Sequence, residues 1–87
     1  MDMDRQKVLE KMRKTAVALF GMDPASIGDE TEIESLGIDS LDRTEWCMAV
    51  EEELDVEIPA DDVHGARTVG DIADAVLRAW HEEGCVE

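Results

Sequence analysis

The sequence is poor in positive charge and in aromatic rings, and it has no long apolar run. Lysine and arginine number 8 against 23 aspartates and glutamates, a formal net charge of -15. A field of that sign repels nucleic acid and anionic membranes, which excludes both as partners, and attracts basic protein patches. It serves solubility too, and its self-repulsion opposes compaction, so salt or divalent cations are expected to stabilise the fold. Tyrosine is absent and the aromatics are Phe20, Trp46 and Trp80. The core must then be mainly aliphatic, with methionine as adaptable filler. The two cysteines, Cys47 and Cys85, fit no metal-ligand spacing and make no disulfide framework. Cys47 reads as a small hydrophobe on a helix and Cys85 as a solvated thiol in the tail. No stretch is apolar for long enough to span a membrane or to serve as a signal-peptide core. The basic residues near the start are mixed with Asp2, Asp4 and Glu10, unlike a transit peptide. A reducing cytoplasm is the expected location.

The motifs of catalysis are missing as well. There is no glycine-rich phosphate loop and no recognisable Ser/His/Asp set. His64 has no second histidine or cysteine near it, so it reads as solvated. Asp39 to Glu51, tried as a calcium loop, lacks the oxygen ligand at its third position and the mid-loop glycine. No metal site is expected, and the chain does not read as an enzyme.

What is present is helical periodicity. The 87 residues suffice for one small domain, with a core over about 4–80 and a polar tail over 81–87. The first four residues read as frayed. Asp4 is placed to cap a helix to about Phe20, with Val8, Met12, Thr15, Ala16 and Leu19 on one stripe, widened by Leu9 and Phe20. Its basic residues read as a solvated face. Gly21 stops it, and a long loop through Asp23-Pro24 and Gly28 packs by Met22 and Ile27. Ile33 and Leu36 turn inward, and Gly37 gives a flexible point before Ser40. A second helix is predicted over Ser40 to Leu54, with Cys47, Val50 and Leu54 inward and Leu41, Thr44 and Met48 on another face among carboxylates. Leu41 and Met48, ringed by acid, read as a docking strip. Pro59 enforces an extended approach, and a short helix runs from Asp61 to about Ala66. Thr68 caps the last helix, with Asp71 completing a capping box. Val69, Ile72, Ala73, Val76 and Trp80 form its stripe. With no strand signal, the fold class is all-α: a small four-helix bundle of three main helices and one short third helix, with a long loop between helices 1 and 2.

Ser40 stands at the joint between loop and second helix. By position alone it is a cap, since serine is favoured there. A helix start also offers unpaired N–H groups and partial positive charge, which suit a phosphate.

The run Leu36-Gly37-Ile38-Asp39-Ser40-Leu41-Asp42 resembles the modification-site motif of the acyl carrier protein family. The likeness continues through Glu45, through Met48 to Leu54, to Glu57-Ile58-Pro59, and resumes at Thr68-Val69. It implies an acyl carrier protein-like bundle whose serine, here Ser40, carries 4′-phosphopantetheine taken from coenzyme A. A phosphopantetheinyl transferase would attach the arm, using magnesium, with Asp39 the flanking carboxylate for that encounter. The protein would be a non-catalytic carrier. It would present acyl thioesters to acyl-transferring and chain-elongating enzymes of fatty acid, polyketide or related synthesis. Partners with basic docking patches would meet Leu41, Asp42, Thr44, Glu45, Met48, Glu51 and Glu52. The acyl pocket would be lined by Ile33, Leu36, Cys47, Val50, Ile58, Val63, Ala66 and Ile72. A monomer without membrane insertion is expected. The chain departs from the family at Thr44, where an aliphatic residue is frequent, and at Trp46, whose indole must find room or sit at the rim. It also departs at Ala66, which could enlarge the cavity, and at Glu32, for which Ile33 stands in. A peptidyl or D-alanyl carrier is the alternative, and an unmodified acidic binding module a more distant one.

Overall fold

The computed structural model describes residues 3–84. Cys85 and the start of the frayed segment, Met1 and Asp2, lie outside the described residues, as does the end of the expected polar tail. Helix α1 (Arg5–Phe20) begins as its sequence predicts: the Asp4 carboxylate accepts the Lys7 N–H at 2.9 Å. It ends at Gly21, whose φ of 67° lies in the left-handed region and whose N–H returns to the Val17 carbonyl. Val8, Leu9, Met12, Thr15 and Ala16 are buried. Leu19, expected in that stripe, is 45% exposed. At this last turn Phe20 makes the inward contact, edge-on to Trp46, and Leu19 turns to solvent.

The loop after α1 contains 3-10 turns at Pro24–Ser26 and Ile33–Leu36. It is stitched to the start of the last helix by backbone hydrogen bonds. Ile33 N–H donates to Arg67 O at 2.9 Å, Val69 N–H to Thr31 O at 2.9 Å, and Gly70 N–H to Asp29 O at 2.8 Å. Gly70 is required for this approach: a Cβ there would stand 2.6 Å from the Asp29 carbonyl oxygen. Arg5 clamps the same region, donating to the Asp29 carboxylate, to Asp74 and to the Gly70 carbonyl. That bonding draws the Asp29 carboxyl below its ordinary range.

Helices α2 (Ser40–Leu54), α3 (Ala60–Gly65) and α4 (Val69–Ala79) complete the bundle, and a π-helical turn at Trp80–Gly84 follows. Thr68 and Asp71 form the expected capping box at α4. The N–H groups of Arg67 and Thr68 hold the Asp71 carboxyl below its ordinary range. Helix α1 packs on α2 and α4, and α3 bridges α2 and α4. Val8, Met12, Trp46, Val50, Ile72 and Val76 form a centre with no exposed surface. The architecture is the expected all-α one, with a long first loop and a short third helix. Among the described residues, pairing of β type is limited to one isolated bridge between Glu32 and Thr68, and no helix is long and apolar enough to cross a membrane.

Candidate functional site

The chain turns at Gly37, with φ at 77°, a conformation that a β-carbon resists. Ile38 and Leu36 pack against the core beneath the turn. The cap of α2 then falls one residue earlier than the simplest reading of Ser40 allows. Asp39, not Ser40, is the cap: its carboxylate accepts the Asp42 N–H at 2.8 Å, and the Asp42 carboxylate accepts the Asp39 N–H at 3.4 Å. An aspartate is as good a cap as serine, and Asp42 three residues on closes the box. Ser40 is thereby relieved of capping. It is the first helical residue, it is exposed, and no other described residue holds its hydroxyl. Only its carbonyl is engaged, by Thr44 Oγ1 at 3.0 Å.

Leu41 and Met48 are 66% and 55% exposed on α2. Asp39, Glu45 and Glu52 are exposed near them, and Asp42 and Thr44 are half-buried. Glu51 is differently placed. Its Oε2 accepts the Ile58 N–H at 2.7 Å, so it ties α2 to the segment before α3.

The residues expected to line a pocket separate into two groups. Ile33, Val50 and Ile72 are buried in the close-packed centre, and Leu36 is half-buried at its edge. Cys47, Ile58 and Val63, with Thr44, Met48, Glu51, Ala60 and His64, line a half-open cleft of about 140 Å³ between α2 and α3. Ala66 instead lines a polar recess with Asp61, Asp62, Asp71, Asp74 and Arg78. Burial, with the Glu51 carboxylate nearby, pushes the Cys47 thiol up to about 12. It is a neutral wall residue rather than a nucleophile.

Two further residues shape the site without having been singled out for it. Arg43 reaches across from α2, and its Nη1 donates to the carbonyls of Val63, His64 and Ala66 at 3.2, 3.3 and 3.1 Å. One guanidinium thus satisfies carbonyls at the end of α3 that the helix cannot. A signal was available: Arg43 shares the inward i, i+4, i+7 spacing of Cys47 and Val50, and a cation there must find acceptors. Trp46 is wholly buried. Its indole N–H donates to Met12 O at 3.0 Å and Thr15 Oγ1 at 2.9 Å, so the ring finds room in the centre and not at the rim. Among the described residues no group of acids, histidines or cysteines is arranged to hold a metal ion.

Comparison with known proteins gives a consistent result. A family model described as a phosphopantetheine attachment site matches residues 10–76. The chain is 45% identical over 65 residues to an acyl carrier protein of Phenylobacterium zucineum (strain HLK1), covering 74% of this chain and 82% of that one. It is 43% identical over 65 residues to an acyl carrier protein of Caulobacter vibrioides (strain NA1000 / CB15N), covering 74% and 83%. It is 50% identical over 48 residues to one of Clostridium perfringens (strain SM101 / Type A), covering 55% and 63%.

Proposed function

As this chain belongs to the acyl carrier protein family, a family of non-catalytic carriers with a covalent 4′-phosphopantetheine, we propose that Ser40 bears that group. The observation that carries the assignment is the division of labour at the start of α2. Asp39 and Asp42 cap the helix, leaving an exposed serine hydroxyl on a tight turn, beside N–H groups of the first helical turn that suit a phosphate. The residues therefore fit the group. When bound, it supplies a terminal thiol on which an acyl chain is held as a thioester. Ser40 anchors it, Gly37 and Ile38 hold the turn outward, and Asp39 flanks the hydroxyl for the encounter with a phosphopantetheinyl transferase.

The exposed strip of Leu41, Glu45, Met48 and Glu52 docks acyl-transferring and chain-elongating enzymes through their basic patches. The cleft between α2 and α3 begins one helical turn below Ser40, at Thr44, and shelters the start of the cargo. Intact mass after reaction with coenzyme A and a phosphopantetheinyl transferase tests the assignment. The protein is expected to gain one arm, and Ser40→Ala none. An arm on any other residue would sink it.

A further inference from the structure

The cleft between α2 and α3 is bracketed by two polar ties from one face of α2. Arg43, Cys47 and Glu51 follow one another on that face at i, i+4 and i+8. At one end Arg43 Nη1 donates to the carbonyls of Val63, His64 and Ala66 at 3.2, 3.3 and 3.1 Å. At the other, Glu51 Oε2 accepts the Ile58 N–H at 2.7 Å. Val63, His64, Ile58, Cys47 and Glu51 all line the cleft. Burial and the Glu51 carboxylate raise the Cys47 thiol and the Arg43 charge opposes them, so the guanidinium stands close to that wall. Among the described residues, Arg43 supplies the hydrogen bonds from α2 to α3. On its other flank α3 is tied to α4 by Asp62 and Arg78 at 3.3 Å, a partly exposed pair of the kind that contributes little. Six residues make no stable helix alone. The separation of α3 from α2 is therefore set by apolar contact and by Arg43, whose bonds are of the stronger, charge-assisted kind.

The cleft as it stands has about 140 Å³, and an apolar cavity of roughly 150 Å³ holds a benzene molecule, six carbon atoms. A longer chain needs more room, and moving α3 away from α2 to supply it breaks the bonds that Arg43 makes. We propose that Arg43 is a specificity-determining latch: by holding the end of α3 to α2, it favours the shelter of short acyl chains over long ones. It is a positioning residue that touches no reacting atom. The inference rests on Ser40 carrying the acyl arm.

The test compares the holo parent with Arg43→Met, which keeps an apolar stem and removes the donors, and with Arg43→Lys, which restores a cation with three donors. Each is loaded with hexanoyl or dodecanoyl, with loading verified by intact mass before melting is measured. The quantity read is the Tm of the dodecanoyl form minus that of the hexanoyl form, because a chain sheltered only by the folded state raises Tm. This difference is expected to be larger in Arg43→Met than in the parent by roughly 4 °C or more, with Arg43→Lys between them. A merely structural role would lower both melting points together and leave the difference unchanged. If Arg43→Met does not fold, Arg43→Gln, neutral and too short to span the three carbonyls, takes its place with the same expectation. An equal difference in the parent and the neutral variant overturns the latch. So does an Arg43→Lys that matches the neutral variant. A protein that takes no arm at all overturns the Ser40 assignment instead, and intact mass separates the two failures.

Discussion

Cys47, which the sequence marks as a small hydrophobe on a helix, shows what burial does to an ionisable side chain. It lies seven residues after Ser40, and its thiol is pushed up to about 12 from an ordinary 9.0, first by burial and then by the Glu51 carboxylate. A raised folded value means that the native state keeps its proton where the unfolded chain gives it up. The stability this contributes is complete below 9.0 and is lost progressively as pH rises toward about 12. Unfolding midpoints of the parent are expected to decline across that window more steeply than those of Cys47→Ala. Parallel pH profiles would show that the thiol is not held neutral by the fold. Ser40 is the opposite case: exposed, uncharged and spared from capping by an aspartate beside it.

Helix α2 is well made at its start and opposed to its own dipole at its end. Its first turn has the reciprocal Asp39–Asp42 box, whereas its last turn has Glu51, Glu52 and Glu53 and no basic residue. Carboxylates near a helix C-terminus are unfavourable. The tertiary structure offsets two of them: Glu51 takes the Ile58 N–H, and Glu53 meets Lys11 and Lys14 of α1 at 3.4 and 4.0 Å. Asp55, the cap residue, is exposed and sits at φ 56°. Asparagine tolerates that left-handed conformation and carries no charge. Asp55→Asn is therefore expected to stabilise the protein by about 0.3–1 kcal/mol at low ionic strength, read from the urea midpoint. An unchanged midpoint would mean that the helix end is screened. Helix α3 has six residues, too few to be stable alone, and is held by Arg43 from outside.

Across the whole molecule the fold sorts charge. Much of the positive charge lies on α1, where Arg5 pairs with Asp29 and Asp74, and Lys11 and Lys14 with Glu53. Arg78 of α4 meets Asp62 of α3 at 3.3 Å. Arg43, the one cation within α2, is turned into carbonyls. The face around Ser40 is left acidic, with Leu41 and Met48 as its apolar contacts. Rim charges act mainly on the rate of encounter. Glu45→Lys is expected to slow association with a basic partner enzyme at low salt, with the difference shrinking as salt screens it. Stopped-flow traces that coincide for mutant and parent at low salt would remove Glu45 from the docking strip.

The sequence by itself determined the four helices and the position of Ser40 in the joint. Caps, stops and helical periodicity are local: Asp4, Gly21, Thr68 and Asp71 act on backbone within a turn of themselves. The Leu36-to-Asp42 run is local too, so the resemblance it carries is legible in the order of its residues alone. The local reading put the cap of α2 on Ser40, but Asp39 holds it, because both are good acceptors and only the backbone conformation selects one. The destinations of long side chains were beyond local rules. Trp46 is buried because Met12 O and Thr15 Oγ1, on another helix, satisfy its N–H. Arg43 faces inward because α3 ends where its guanidinium can reach, and Glu51 serves Ile58 rather than solvent. Which apolar residues line a cleft and which fill the centre was decided by the packing of α3 against α2, a contact between segments that no period in either one encodes.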